Sequence, residues 1–205
     1  RLRNFKAGWI ERMDCVKVGK LILRLRKEHG LTQKQLADKM NLSDRTISKW
    51  ERGLGCPDIS LLHELSDVLN VNIEKILTGD LEPNRTDGGN IKRIKFYVCP
   101  TCGNILTATG EAKVSCCGRK LTALVPKPSD EEHHLHVETI EDDYYITFPH
   151  EMEKSHYLNF IAYVSYDRFL FVRLYPEQGS EVRFPKLHGG KLYFGCNRHG
   201  LWVND

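Results

Sequence analysis

Near the C-terminal end, Cys196-Asn197-Arg198-His199-Gly200 sets a thiol and an imidazole three positions apart, so one tight loop can aim both at a single metal ion. Far upstream, Pro149-His150-Glu151-Met152-Glu153-Lys154-Ser155-His156 supplies two more imidazoles, and His133, His134 and His136 offer a choice of a fourth. Imidazole is a borderline donor and thiolate a soft one. A mixed nitrogen and sulfur set therefore selects iron, zinc or copper over magnesium or calcium. Four imidazoles with one thiolate are too many for a closed tetrahedral zinc site. Five protein donors leave one octahedral position open, which suits redox-active iron.

A second set is all sulfur. Phe96-Tyr97-Val98-Cys99-Pro100-Thr101-Cys102-Gly103-Asn104 contains a Cys-x-x-Cys knuckle, and Cys116 and Cys117 follow with thirteen residues between Cys102 and Cys116. The knuckle, turned by Gly103, directs two thiolates at one point, and the second pair completes a four-sulfur tetrahedron for zinc or a single iron. A structural zinc ribbon is the plain reading, although adjacent cysteines are unusual for one. Disulfide pairing of these four fits a reducing cell poorly.

Three segments now combine: His134-Leu135-His136-Val137, Pro149-His150-Glu151-Met152 with His156-Tyr157, and Cys196-Asn197-Arg198-His199-Gly200-Leu201-Trp202. Together they resemble the iron-binding domain of desulfoferrodoxin, the superoxide reductase family, over residues 131–205. The resemblance implies ferrous iron with four histidines in a plane and an axial thiolate opposite an open site. Carried over by position, the ligands are His134, His150, His156, Cys196 and His199. It also implies an immunoglobulin-like β-sandwich and one-electron reduction of superoxide to hydrogen peroxide, with Cys196 pushing electron density through the metal. Asn197 and Arg198 are the nearest residues in sequence to tune that thiolate. Cys99, Cys102, Cys116 and Cys117 resemble desulforedoxin, a rubredoxin-type iron centre, over residues 96–121. One departure concerns the family's Glu-Lys pair ahead of the first histidine, where the lysine attracts superoxide. Glu132 and His133 stand there, and imidazole carries less positive charge at neutral pH than lysine.

The front of the chain has a different period. Val18, Leu21, Ile22 and Leu25 recur at helical spacing and Gly30 marks a stop. Thr32-Gln33-Lys34-Gln35 is a capping box. Leu36, Ala37 and Met40 form the inner face of a second helix, and Ser43 caps a third that runs past Trp50. Pro57-Asp58 opens a fourth helix, and residues 71–77 form a fifth. Two short helices joined by a tight turn make a helix-turn-helix. Residues 31–53 resemble the phage-repressor (Cro/CI-type) family, and the resemblance spans residues 16–79. With Ile47 and Trp50 turned inward, Asp44, Arg45, Thr46, Ser48 and Lys49 remain outside for a DNA major groove. Arg45 is suited to guanine O6 and N7, while Gln33 and Ser43 match positions that hold phosphate. The plainer alternative is a protein-interaction bundle with a solvated charged face.

Charge supports DNA at the front only. Residues 1–129 hold 23 Lys/Arg against 14 Asp/Glu, or +9, whereas residues 130–205 hold 7 against 13, or −6. No apolar run approaches a membrane span and no secretory signal is visible, so the expected compartment is the cytoplasm. In that reducing setting Cys15 and Cys56 need no partner. The expected organisation is an extension over 1–15 with no assigned role, a helix-turn-helix domain over 16–79 and a linker over 80–95. A four-cysteine unit over 96–121, a stiffer linker over 122–130 and an iron domain over 131–205 follow. Alternating segments at 137–140, 144–148, 157–166, 169–175, 181–184 and 191–194 predict an antiparallel sandwich. The function expected is a homodimeric DNA-binding regulator of an operator, carrying redox- or superoxide-responsive iron. The alternative is a superoxide reductase with an appended DNA-binding head.

Overall fold

A computed structural model describes residues 13–204; the basic stretch 1–12, and with it most of the expected extension, lies outside them. The chain divides into two compact units, Arg1–Pro83 and Asn84–Asp205.

Among the described residues the first unit has five α-helices: α1 Cys15–Glu28, α2 Gln33–Lys39, α3 Asp44–Glu51, α4 Leu62–Leu69 and α5 Ile73–Thr78. Both halves of the capping box form at α2. The Gln35 N–H donates to Thr32 Oγ1 at 3.1 Å and the Thr32 N–H donates to Gln35 Oε1 at 2.8 Å. Ser43 caps α3 by accepting from the Thr46 N–H. Val18, Leu21, Ile22 and Leu25 of α1 meet Leu36, Ala37, Ile47, Trp50, Leu65 and Leu69 in one apolar cluster. α1 approaches α3 so closely that a Cβ on Gly19 would lie 2.0 Å from the Trp50 carbonyl oxygen. Beside that contact the Arg26 guanidinium, buried and bonded to Glu51 through Nε and Nη2, also donates to the Leu31 carbonyl at 2.6 Å.

The same packing corrects one expectation. Cys15 and Cys56 are joined in a disulfide across 41 residues, with Cα atoms 5.0 Å apart. Cys15 opens α1 and Cys56 lies in the loop leaving α3, so seating α1 on α3 brings the two together.

The second unit is β-rich. Its front carries two small hairpins, β1 Lys95–Val98 with β2 Ile105–Ala108 and β3 Val114–Cys116 with β4 Arg119–Leu121. Behind them come β5 Lys127–Pro128, β6 His136–Ile140, β7 Asp143–Thr147, β8 Leu158–Val164, β9 Phe169–Arg173, β10 Glu181–Pro185, β11 Lys191–Cys196 and β12 Gly200–Asn204. They form a three-stranded sheet, β10-β7-β6, and a five-stranded sheet, β5-β12-β11-β8-β9. The expected strands are present, and β12 and β5 join them. β5 pairs parallel to β12, unlike the antiparallel ladders around it. Residues 122–130, expected as a linker, are tied down at Leu124 to the Phe96 carbonyl and at Ser129 to Val203.

Every residue of β8 is buried. Because strand side chains alternate between faces, Ile161 and Tyr163 join Ile146, Val182 and Phe184 of the other sheet, while Phe160, Ala162 and Val164 take the opposite side. There Phe96 of β1 stacks on Phe160 with ring centroids 5.2 Å apart. The four-cysteine hairpin thus borrows an apolar seat from the larger sheet, and burial of one such ring contributes roughly 1.5–3 kcal/mol.

Removing one member of the Arg26–Glu51 pair tests the helix packing. Glu51→Ala leaves a buried guanidinium unpaired, and the first unit should lose about 3–5 kcal/mol, or roughly 10 °C or more in Tm. A loss below about 1 kcal/mol in denaturant titration would show that the pair is not structural.

Candidate functional site

Five side chains from four separate loops and strand ends converge in the second unit: His133, His150, His156, Cys196 and His199. Their donor atoms all lie within 4.8 Å of one another. Cys196 ends β11, where the pairing with β8 slips between Gly195 and Cys196, and His199 sits in the turn leading to β12. Asn197, whose Oδ1 lies 4.0 Å from Cys196 Sγ, and Arg198 also brace a neighbouring loop. Asn197 Oδ1 accepts from the Tyr157 N–H at 2.9 Å, while Asn197 Nδ2 and Arg198 Nε donate to the Ser155 carbonyl at 3.1 and 2.9 Å. The turn carrying Cys196 and His199 is thereby stapled to the loop carrying His156.

The structure gathers a different first histidine from the one carried over by position. His133, which aligned with the family's lysine, lies in the cluster, and His134 does not. Asp130 Oδ1 accepts from the His133 backbone N–H at 2.7 Å and faces its Nδ1 at 3.1 Å. The ring stacks on Trp202 at 4.3 Å with planes 12° apart, leaving Nε2 3.0 Å from His199 Nδ1. His134 pairs with His136 instead, their Nε2 atoms 3.0 Å apart. Residues two apart on extended chain share a side, which turns that pair away from His133.

The donors fit a metal ion. His150 Nδ1 is engaged by the Glu151 carbonyl at 2.6 Å and His156 Nδ1 by the Glu151 carboxylate at 2.9 Å. Their Nε2 atoms are buried and without a partner. Orphaned buried nitrogens are costly unless a ligand satisfies them. Burial, then the neighbouring imidazoles, hold His150 below the ordinary histidine pKa, and burial with His133 and His156 lowers His199, which favours the neutral donors a metal requires. Hydrogen bonding from His156 keeps Glu151 ionised. Burial opposes ionisation of Asp130, but the backbone and ring of His133 outweigh it. Such carboxylates fix ring orientation and raise imidazole basicity. Asp130 escaped the sequence reading, and Glu151 and Trp202 were read there only as members of the ligand motifs; an acidic residue next to each histidine loop was the available signal for their role. Glu132, also expected at this site, is exposed, and its charge reaches His199.

The four sulfurs of Cys99, Cys102, Cys116 and Cys117 form the second cluster. Cys102 Sγ lies 3.6 Å from Cys116 Sγ, and Cys116 Sγ lies 3.9 Å from Cys117 Sγ. Tetrahedral thiolates around one ion at about 2.3 Å stand roughly 3.8 Å apart, so the spacing fits a metal and excludes disulfides. Neighbouring residues on a strand point to opposite faces, but Cys117 has φ +50°, a left-handed turn that swings its sulfur to the side of Cys116. Backbone N–H groups of Cys102 and Thr101 lower the Cys99 pKa to about 6, whereas hydrogen bonding within the cluster raises Cys117 to about 12. Without a cation the sulfurs resist a common charge.

In the first unit Ile47 and Trp50 are buried, while Ser43, Asp44, Arg45 and Lys49 are exposed and Thr46 and Ser48 half-exposed, as the sequence predicts. Gln33 Nε2 donates to Glu51 Oε2 at 2.7 Å, which pins the amide at the start of α2. One of its N–H groups remains for another acceptor.

Residues 22–76 match the helix-turn-helix family model. The chain is 36% identical over 78 residues to the HTH-type transcriptional activator BcrR of Enterococcus faecalis, a match of 37% of this chain and 38% of that protein. It is 29% identical over 123 residues to desulfoferrodoxin of Syntrophotalea carbinolica, covering 56% of this chain and 98% of the relative. Among solved structures, the superoxide reductase from Treponema pallidum superposes with a TM-score of 0.48 at 20% identity, over 55% of this chain and 98% of that one. The N-terminal unit contains an XRE-type helix-turn-helix domain, and the C-terminal region is homologous to desulfoferrodoxin.

Metal analysis separates the two candidate histidines. His133→Ala should weaken metal retention by about tenfold or more, and Asp130→Asn or Glu151→Gln by roughly 10- to 100-fold, while His134→Ala leaves it nearly unchanged. The reverse ranking in chelator competition would place His134 on the metal.

Proposed function

We propose that this protein is a sequence-specific DNA-binding transcriptional regulator whose second unit holds iron and responds to superoxide or redox state. The observation that carries the reading is the presence, on one chain, of an exposed Arg45–Lys49 helix face and five donors converged on one point. The kinship with a transcriptional activator supports the first half and the kinship with desulfoferrodoxin the second.

On DNA, α3 enters the major groove, Arg45 meets a base edge, Asp44, Thr46, Ser48 and Lys49 flank it, and Gln33 and Ser43 hold phosphate. Arg26 and Glu51 keep Gln33 at the groove rim. Two copies span two half-sites one helical turn apart, so the acting form is a homodimer in the cytoplasm, where the DNA is.

His133, His150, His156, Cys196 and His199 hold the iron, which when bound supplies one-electron chemistry toward superoxide. Asp130 and Glu151 fix the rings so that free nitrogen lone pairs face inward. Trp202 covers His133 against water, and Lys127, donating to the His199 carbonyl at 3.1 Å, secures the turn. Cys99, Cys102, Cys116 and Cys117 hold iron or zinc. Two sheets sharing one apolar cluster support an immunoglobulin-like sandwich for residues 131–205. His133, standing where the family pattern has lysine, leaves Glu132 without a fixed positive neighbour to attract an anion, which favours a sensor over a fast scavenger. No helix among the described residues is long and apolar enough to cross a membrane.

A second reading, superoxide reductase with a DNA-binding head, is favoured by the match to nearly the whole length of desulfoferrodoxin. The two separate in one titration. Operator affinity of anaerobically purified protein should change by about fivefold or more after one equivalent of superoxide. Equal affinities, together with sustained peroxide production from superoxide, would establish the enzyme instead.

Arg45→Ala should cost about 1–3 kcal/mol at one operator position only. A uniform loss across sequences would reduce Arg45 to a phosphate contact.

A further inference from the structure

We propose that Cys15 and Cys56 form a peroxide-reactive dithiol/disulfide site that sets the DNA affinity of the first unit. The site stands on these two residues and does not depend on the metal reading.

A DNA-binding protein works where thiols are kept reduced, and disulfides there are characteristically transient and redox-sensing. Yet two cysteines separated by 41 residues face one another with Cα atoms 5.0 Å apart, inside the range a disulfide requires. Both are half-exposed, so a small oxidant and a reducing thiol reach them, unlike a bond sealed in a core. Their places in the fold make the bond consequential. Cys15 is the first residue of α1, and Cys56 lies five residues beyond α3, the helix that presents Arg45. The intervening loop leans on the start of α1: a Cβ on Gly53 would lie 2.9 Å from Val16, and the Leu54 N–H donates to the Lys49 carbonyl at 3.0 Å. Arg26 and Glu51 already tie α1 to the last residue of α3. The disulfide adds a covalent tie at the opposite end of α1, and with both in place the exit of α3 is fixed on its platform.

The chemistry balances with a peroxide as oxidant. The thiolate of one cysteine attacks a peroxide oxygen and the O–O bond breaks, giving a sulfenic acid and, with a proton, water. The second thiol attacks that sulfur, the S–O bond breaks, the S–S bond forms and a second water leaves. Two thiols lose two electrons and the peroxide gains them. The oxidised form pre-organises α3 and binds DNA tighter.

The test uses the full chain, purified anaerobically with a dithiol reductant, and a duplex selected from a random pool by the oxidised protein. Alkylation and mass spectrometry should find Cys15 and Cys56 free before hydrogen peroxide and cross-linked after it. Affinity for the selected duplex should rise by about fivefold or more, and reductant should reverse the rise. The Cys15→Ser/Cys56→Ser double variant should show no response to hydrogen peroxide. Thiols that stay alkylatable after peroxide would overturn the proposal, a result that needs no variant to fold. So would a cross-link that leaves affinity unchanged. A response kept by the double variant but lost in Cys196→Ala would overturn it too and assign the response to the metal centre.

Discussion

Five donors packed within 4.8 Å of one another impose the strictest condition on this molecule. His150 and His156 each turn a buried nitrogen toward that point with no hydrogen-bond partner, and two further imidazoles and a thiol crowd the same volume. Buried unsatisfied nitrogens cost free energy, and protonating any one imidazole places a charge beside its neighbours. The arrangement is stable only if the surrounding fold holds the rings outward from collapse and a cation completes them. The second unit is built to meet the first half of that condition. β11 and β12 form a hairpin that delivers Cys196 and His199, Asn197 and Arg198 fasten that hairpin to the loop before Tyr157, and the carboxylates of Asp130 and Glu151 occupy the outward nitrogens of His133 and His156.

The sulfur cluster solves the same difficulty with less material. It sits on two short hairpins that could not enclose a core of their own. Phe96 and the covering residues of β8 and β12 supply one. A metal in this cluster therefore acts on an already seated hairpin, and its loss is expected to loosen the loops around Cys102 and Cys116 before it frees β1.

How much of this was legible follows from which signals are local. The capping box at Thr32 and Gln35, the helical spacing of Val18 to Leu25 and the alternation through β6 to β11 are set by neighbouring residues, and all three formed as expected. The choice between His133 and His134 was not local. It depends on Asp130 turning the chain and on Trp202, far along the sequence, offering a flat surface to one ring. β12 was hidden because Gly200, Leu201 and Trp202 were read for their part in a ligand motif. β5 escaped because two residues around a proline carry no periodicity. The Cys15–Cys56 bond was missed for a different reason: an argument from compartment was allowed to outrank one from packing, which only the seating of α1 on α3 reveals.

The first unit shows why that packing matters to recognition. Glu51 is the last residue of α3, and its carboxylate is shared between Arg26 of α1 and Gln33 of α2. A single buried anion thus ties together all three helices, including the one that presents Arg45 and the one that starts at Gln33. A substitution at Glu51 that preserves the fold would still release Gln33, so affinity for DNA should fall further than stability alone accounts for. In the proposed reading the exposed face of α3 supplies specificity, and the buried pair behind it sets whether that face meets the bases in register with its phosphate contacts. Reading and positioning are separate tasks in this unit, carried by different residues.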